Sequence, residues 1–110
     1  MILNKEKAMQ SYGLDLETYT GLLADAIQQA VDFNQKLASF IASMNHEEIV
    51  KGAHFIKGSS AMLGMEEVSK IALDLEMAGK QKESAAPLQS KMAALQGAID
   101  DVKKEASNLK

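Results

Sequence analysis

The chain has 110 residues, which is the length of one domain. Its net charge is −3, it has no cysteine, and lysine supplies all 12 of its basic residues. These counts exclude disulfides, thiolate nucleophiles, cysteine-bound metals and bidentate arginine contacts to phosphate, and they argue against a basic nucleic-acid-binding surface.

The hydropathy pattern contains no targeting or spanning segment. No apolar run near the start has the length of a signal peptide, and none reaches the roughly 20 residues that span a membrane. We therefore expect a cytoplasmic protein with no nucleic-acid partner and no membrane insertion. A piece of a larger, membrane-tethered protein would have the same features.

The composition favours helices over strands, because alanine outnumbers valine, isoleucine and threonine taken together. A short helix is predicted over about residues 2–11, with Ile2, Leu3 and Met9 as its apolar face. Gly13 ends this helix.

A long helix is predicted next. Asp15 is its N-cap, and apolar residues recur in steps of three and four as far as Met44. Residues 32–34 are the place where this pattern allows a kink or break.

Two further helices follow in the middle of the chain. Asn45 is a capping residue for a helix over about residues 46–63, and Gly64 lies where a C′ glycine ends such a helix. The next helix is predicted over about residues 66–79, and Gly79 is expected to end it.

The last predicted helix starts at Ser84 or Ala85 and tolerates Pro87 in its first turn. Its apolar stripe consists of Leu88, Met92, Leu95, Ile99 and Val102. Four long helices joined by short turns predict an all-α fold, an antiparallel (up-down) four-helix bundle with a short extra N-terminal helix. We expect one domain over residues 1–110.

His54 is predicted to face away from the core. At about 100° per residue it lies opposite Ile49, Ile56 and Leu63 on the helical wheel. Gly58, one turn later, costs up to about 1 kcal/mol in a helix interior relative to alanine, but it lets another molecule approach closely. The other outward neighbours of His54 are Val50, Lys51, Lys57 and Ala61.

An exposed histidine with a lysine three residues later suits the capture of a phosphoryl group. Metal binding is disfavoured because a site needs three or four ligands, and Ser–His–Asp catalysis is disfavoured because nothing marks an oxyanion hole. A neutral imidazole is nucleophilic near pH 7, and Lys57 can neutralise the added negative charge. His46, near a helix N-terminus, is expected to be an inert surface residue.

Two segments carry a family resemblance. The sequence AHFIKGSSAMLG of Ala53–Gly64, followed by LEMAGK of Leu75–Lys80, resembles the histidine-containing phosphotransfer (HPt) domain family. The helical layout agrees with that family over about residues 15–109. The match is most specific at His54, Lys57, Gly58 and Gly64.

The resemblance implies a four-helix bundle in which His54 accepts a phosphoryl group through Nε2. Lys57 would stabilise the phosphoryl oxygens, and Lys80 would be a second cation near the ring. Gly58 would make room for the partner, and Glu76 would orient the imidazole.

The resemblance to HPt domains implies a phosphoryl carrier rather than an enzyme. The resemblance implies a phosphorelay intermediary that takes the group from a receiver-domain aspartyl phosphate and passes it to another receiver aspartate. We expect no cofactor on this chain and Mg²⁺ on the receiver partner. Expected partners are the receiver domains of response regulators or hybrid histidine kinases, and we expect a monomer.

Ala61, like Gly58, is expected to give the partner access to His54, and four residues are candidates for the docking surface: Val50, Lys51, Met62 and Met65. For the two methionines, packing in the core or at a helix cap is the alternative. A non-phosphorylated adaptor that docks receiver or kinase domains is the alternative function, and an enzyme or metal-binding bundle is the least favoured one.

Overall fold

The structure, a computed structural model, describes residues 3–109 and contains five α-helices. They are α1 (Lys5–Tyr12), α2 (Leu16–Ala42), α3 (His46–Met62), α4 (Glu66–Lys80) and α5 (Ala85–Ala106). No strand occurs in these residues, which confirms the all-α prediction. None of the five helices is long and apolar enough to cross a membrane.

Helices α2 to α5 form a four-helix bundle. Contacts run from α2 to α3, from α3 to α4, from α4 to α5 and from α5 back to α2, with α3 and α4 packed most extensively. The connecting turns are short, so each helix runs back along its predecessor. The predicted antiparallel bundle with an extra N-terminal helix is therefore confirmed.

The core lies along the axis of the bundle. Its largest fully buried side chains are Tyr19, Leu23, Leu37, Ile41, Ile49, Ile56, Leu63, Met65, Leu75, Leu88, Leu95 and Ile99. Burial of each leucine or isoleucine contributes roughly 1.5–3 kcal/mol. These side chains come from α2 to α5 and their connections, and Leu3 and Ala8 of the N-terminal segment are buried as well.

The N-terminal segment is attached to the turn between α3 and α4. Leu3 is buried, and Asn4 Oδ1 caps α1 by accepting from the Lys7 N–H at 3.3 Å. The Asn4 N–H donates to the Gly64 carbonyl oxygen at 2.8 Å, and Asn4 Nδ2 donates to Glu66 Oε1 at 3.2 Å. Gly64 has φ 80°, and a Cβ there would collide with the Asn4 carbonyl group. The turn and the attachment of α1 therefore both require glycine.

Helix α2 is continuous through residues 32–34, so the break that the sequence pattern allowed does not occur. Phe33 is buried and fills the space beside Gly52, where a Cβ would collide with its ring. Asn34 is also buried, and its Nδ2 donates to Gln96 Oε1 of α5 at 2.9 Å. Packing against the neighbouring helices therefore keeps this segment helical.

Two predicted helix ends move slightly. Helix α1 begins at Lys5 and not near residue 2, because the chain turns into the helix at its Asn4 cap. Ile2, predicted to lie on the apolar face of α1, is outside the described residues. Helix α3 ends at Met62, within the usual one to two residues of the predicted end.

Gly79 does not end α4, which continues to Lys80. Gly79 is buried, and a Cβ there would lie 2.7 Å from Val50 Cγ2 and 3.4 Å from the His46 carbonyl oxygen. This glycine therefore allows α3 and α4 to approach closely. The chain turns instead at Lys82, which has φ 54°.

Candidate functional site

His54 lies on the outward face of α3. Its side chain is 68% exposed, whereas Ile49, Ile56 and Ser60 of the same helix are buried. The wheel predicted this arrangement. The ring is presented to solvent because the opposite side of α3 packs into the core.

A carboxylate on α4 contacts three groups around this ring. The Glu76 side chain is only 5% exposed, and its Oε2 lies 2.8 Å from His54 Nδ1. Its Oε1 accepts from Lys57 Nζ at 2.7 Å, and Lys80 Nζ lies 3.6 Å from Oε2. The close packing of α3 on α4 thus gathers four residues that the sequence analysis named separately.

The Glu76 carboxylate is ionised at neutral pH. The hydrogen bond from Lys57 is the largest cause that lowers the pKa of Glu76 to about 2, and the hydrogen bond from His54 and the charges of Lys57 and Lys80 act in the same direction. Desolvation by burial opposes this shift and is outweighed. The pKa therefore reflects the cationic surroundings of the carboxylate.

An ionised carboxylate can only accept hydrogen bonds, so the 2.8 Å contact requires the proton on His54 Nδ1. In the neutral ring the lone pair then resides on Nε2, the nitrogen that Glu76 does not contact. The buried carboxylate fixes the tautomer in the same way that a carboxylate hydrogen-bonded to a metal-binding histidine orients its ring. The arrangement suits attack by Nε2 on an incoming group.

The surface of α3 next to His54 is open. Gly58 and Ala61 are exposed, and a Cβ at Gly58 would have no heavy atom within 4 Å. Val50 is half-buried, while the Lys51 ammonium is exposed and lies 3.3 Å from Glu47 Oε1. The space needed for a partner beside the ring is therefore present in this structure.

The two candidate docking methionines differ. Met62 is 39% exposed, but Met65 is only 1% exposed, so the prediction of Met65 as a docking residue is wrong. The left-handed turn at Gly64 directs the chain back towards the bundle, and the hydrophobic residue after such a glycine packs onto the preceding helix. Met65 therefore belongs to the core.

A groove lies beside the site, between α1 and the adjacent parts of α3 and α4. Its volume is about 620 Å³, and Lys57 of the Glu76 cluster is one of its lining residues. The apolar wall includes Tyr12, Met62 and Leu73, which are exposed. Lys7 and Lys70 also line the groove. Glu66 lines the groove as well, so it is an amphipathic surface with three lysines and one carboxylate in its lining.

The contributions of α1 and α4 to this groove were not predicted from the sequence. The approach of α1 to the Lys57 region depends on the contact of Asn4 with Gly64, which no local pattern reveals. Ser69 was missed for the same reason: its Oγ donates to the Lys57 carbonyl oxygen at 3.0 Å and joins α4 to α3. One local signal pointed to the groove: Tyr12 is a large aromatic residue at the end of a polar helix.

His46 is not the inert surface residue that the sequence indicated. It is half-buried, and its Nε2 lies 2.9 Å from the Glu83 carbonyl oxygen in the turn between α4 and α5. Because a carbonyl only accepts, Nε2 carries the proton in this contact. His46 therefore has a structural role at the end of the bundle, and residues 3–109 contain no cluster of His, Cys, Asp and Glu side chains that could hold a metal ion.

The sequence profile of the Hpt domain family matches residues 17–105. This range covers all of α3 and α4 and all but one terminal residue of α2 and of α5. It includes His54, Lys57, Glu76 and Lys80. Neither the curated proteins nor the solved structures contain a significant match to the chain. Hpt domains are phosphotransfer carriers of two-component signalling and interact with receiver domains. On its sequence match and its helical bundle, this chain belongs to the Hpt domain family.

Proposed function

We propose that this chain is a phosphorelay intermediary in which His54 accepts a phosphoryl group from one receiver domain and passes it to another. The observation that carries the proposal is the contact between the exposed ring and the buried Glu76 carboxylate, 2.8 Å from Nδ1. It leaves Nε2 as the nucleophile on an accessible face. The chain acts as a cytoplasmic monomer, whose four long helices bury their apolar stripes against one another.

The transfer is a displacement at phosphorus. The Nε2 lone pair of His54 forms the N–P bond as the bond from phosphorus to the aspartyl oxygen breaks, and that electron pair returns to the receiver carboxylate. The second transfer reverses these events on another receiver aspartate. Positioning and charge stabilisation account for most of the catalysis of phosphoryl transfer, so a carrier needs little covalent machinery of its own. Mg²⁺ belongs to the receiver.

Lys57 and Lys80 are proposed to stabilise the phosphoryl oxygens. Both ammonium groups contact the carboxylate that binds the ring, so all three groups share Glu76 as a partner. Each is on a flexible four-carbon stem and can turn towards a phosphoryl group on Nε2. Lys57 is the closer partner of Glu76, at 2.7 Å against 3.6 Å for Lys80.

The groove under α1 is proposed to receive part of the receiver surface. The aspartate-bearing face of a receiver is acidic, and Lys7 and Lys70 complement that charge. Tyr12, Met62 and Leu73 offer apolar contact area beside them. Gly58 and Ala61, together with Val50 and Lys51, form the surface of α3 around His54 on which the partner rests.

The test uses purified receivers that carry ³²P on their aspartate. Wild-type protein should acquire an acid-labile, base-stable label, and His54→Gln should acquire none. His46→Gln, which changes the only other histidine, is the matched control and should accept label normally.

Two results would contradict the proposal. Label on His54→Gln would mean that another residue is the acceptor. Binding of a phosphorylated receiver with no transfer to wild-type protein would instead identify a non-phosphorylated adaptor.

A further inference from the structure

Glu76 has more cationic partners than one carboxylate can neutralise. Its Oε1 accepts from Lys57 at 2.7 Å, while Oε2 lies 2.8 Å from His54 Nδ1 and 3.6 Å from Lys80. With a neutral imidazole, the cluster holds two positive charges against one negative charge. The resting site therefore has a surplus positive charge at the place where a phosphoryl group would arrive.

Attack by the neutral ring changes this balance. Because Nδ1 keeps its proton when Nε2 bonds to phosphorus, the ring gains one positive charge, while the attached phosphoryl group carries two negative charges. The phosphorylated cluster then contains one carboxylate, one cationic ring, one phosphoryl dianion and the two ammonium groups. The total charge is then zero, and every charge has an opposite partner when the carboxylate pairs with the cationic ring and the two lysines pair with the phosphoryl dianion.

We propose that Glu76 retains the Nδ1 proton on the phosphorylated His54 ring, while Lys57 and Lys80 move from the carboxylate to the phosphoryl group. Glu76 is then a positioning residue for the release half of the relay as well as for the first attack. The inference rests on His54 as the acceptor proposed above.

The retained proton matters for onward transfer. When the N–P bond breaks, its electron pair returns to Nε2, and a ring that still has the Nδ1 proton leaves as neutral imidazole. A ring without that proton would leave as an imidazolate anion, which is a far poorer leaving group. By holding the proton, Glu76 keeps the phosphoryl group transferable at a higher pH than a ring without this partner would allow.

The other charged groups nearby do not substitute for Glu76. Among residues 3–109, the groups that contact the carboxylate are His54 and Lys57 of α3 and Lys80 of its own helix. Two further ion pairs lie elsewhere: Lys51 contacts Glu47 on α3, and Lys91 of α5 contacts Glu83, each at 3.3 Å. Glu76 is thus the carboxylate that faces the ring in the described structure.

The experiment compares wild-type protein with Glu76→Gln, which keeps the size and an acceptor oxygen but removes the charge. The matched control is Glu67→Gln, which removes an exposed carboxylate from the first turn of the same helix. Each protein carries ¹⁵N-labelled histidine and lysine and is phosphorylated with phosphoramidate, a small-molecule donor that needs no protein partner. Far-UV circular dichroism verifies that each variant is folded.

The first readout is the NMR titration of Nδ1 in the phosphorylated ring. We expect wild-type protein and Glu67→Gln to lose the Nδ1 proton at a pH about one unit or more above that of Glu76→Gln, which is the size of effect that a neighbouring opposite charge produces. Coincident midpoints in all three proteins would overturn the role of Glu76. The Nζ signals of Lys57 and Lys80 should also shift on phosphorylation of wild-type protein, and unchanged signals would overturn the movement of the lysines.

The second readout is transfer from the phosphorylated proteins to a receiver over the same pH range. The rate for Glu76→Gln should fall at a lower pH than the rate for wild-type protein, with Glu67→Gln following wild type. If no receiver accepts the group from any protein while the Nδ1 midpoints still differ, the relay function fails and the role of Glu76 stands. If receivers accept it equally from all three at every pH, the role of Glu76 fails and the relay function stands.

Discussion

At the residue scale, the chemistry proposed for this protein depends on how one buried carboxylate divides its contacts. Glu76 accepts from the ring and from Lys57 at distances below 3 Å, and Lys80 lies slightly farther away. The partners lie 22 and 19 residues away for His54 and Lys57, so only the packing of α3 on α4 unites them. The motif segments indicated each residue, but the distances depend on the tertiary structure.

Lys57 has a role in the resting protein, so its replacement should have two effects. In Lys57→Gln the pKa of Glu76 should rise above about 2, because the hydrogen bond from Lys57 is the largest cause of its depression. Transfer from a phosphorylated receiver should also slow. Carboxyl ¹³C NMR follows the first effect and label transfer follows the second, with the exposed Lys104→Gln as the control. An unchanged Glu76 titration would mean that this ion pair does not form in solution.

The same carboxylate should make stability depend on acid pH. Its folded pKa of about 2 is below the ordinary value of 4.5, so its ionised form contributes stability that is present above pH 4.5 and is lost as the pH falls towards 2. Chemical unfolding at several pH values should therefore show that, between pH 4.5 and about 2, the free energy of unfolding falls more steeply for wild-type protein than for Glu76→Gln. Parallel curves would contradict the depressed pKa.

At the scale of the elements, helix type and order were predictable because the apolar period and the capping residues are local signals. Asp15 and Asn45 cap α2 and α3 as expected, with side chains that accept from Thr18 N–H and Glu48 N–H. Gly79 was misread because a glycine that permits close helix packing has the same sequence signature as one that ends a helix. The distinction requires knowing which helix lies opposite.

A substitution at Gly58 separates the effect on helix stability from the effect on access of the partner. Gly58→Gln should raise stability by up to about 1 kcal/mol through helix propensity and yet slow transfer by blocking the receiver. Gly97→Gln on α5 is a matched control, since both glycines are helical and neither has a heavy atom within 4 Å of an added Cβ. The temperature of thermal unfolding should rise in both variants, and the rate of transfer should fall in Gly58→Gln alone. Normal transfer in Gly58→Gln would refute the access argument.

At the scale of the whole molecule, the groove that Lys57 lines is assembled from three helices. The bundle supplies Met62 and Leu73, and α1 adds Tyr12 from outside the range of the family match. The bundle was predictable because its helices repeat an amphipathic pattern. The groove was not predictable, because it depends on where α1 packs against the bundle.

Reversing the charge of the groove should weaken encounter with a receiver. The double variant Lys7→Glu and Lys70→Glu is expected to bind receivers more weakly and with a smaller dependence on salt, because the complementary charge is lost. Phosphorylation of His54 by phosphoramidate should be unaffected, because it requires no docking. Reversal of Lys103 and Lys104 on α5 makes the same change in net charge away from the groove and is the control. Equal salt dependence in both double variants would exclude the groove as a docking surface.

The hairpin of α3 and α4 is fastened at both of its ends. Near one end Tyr19 Oη donates to the Leu63 carbonyl oxygen at 2.6 Å, and burial raises the pKa of Tyr19 to about 12, so this donor keeps its proton. At the other end His46 bonds the Glu83 carbonyl oxygen. The entropy of arranging the proposed nucleophile is therefore lost once, during folding, and not again at each meeting with a partner. In the proposed relay a weak contact with each of two successive partners is then sufficient, because none of its binding energy is needed to position His54.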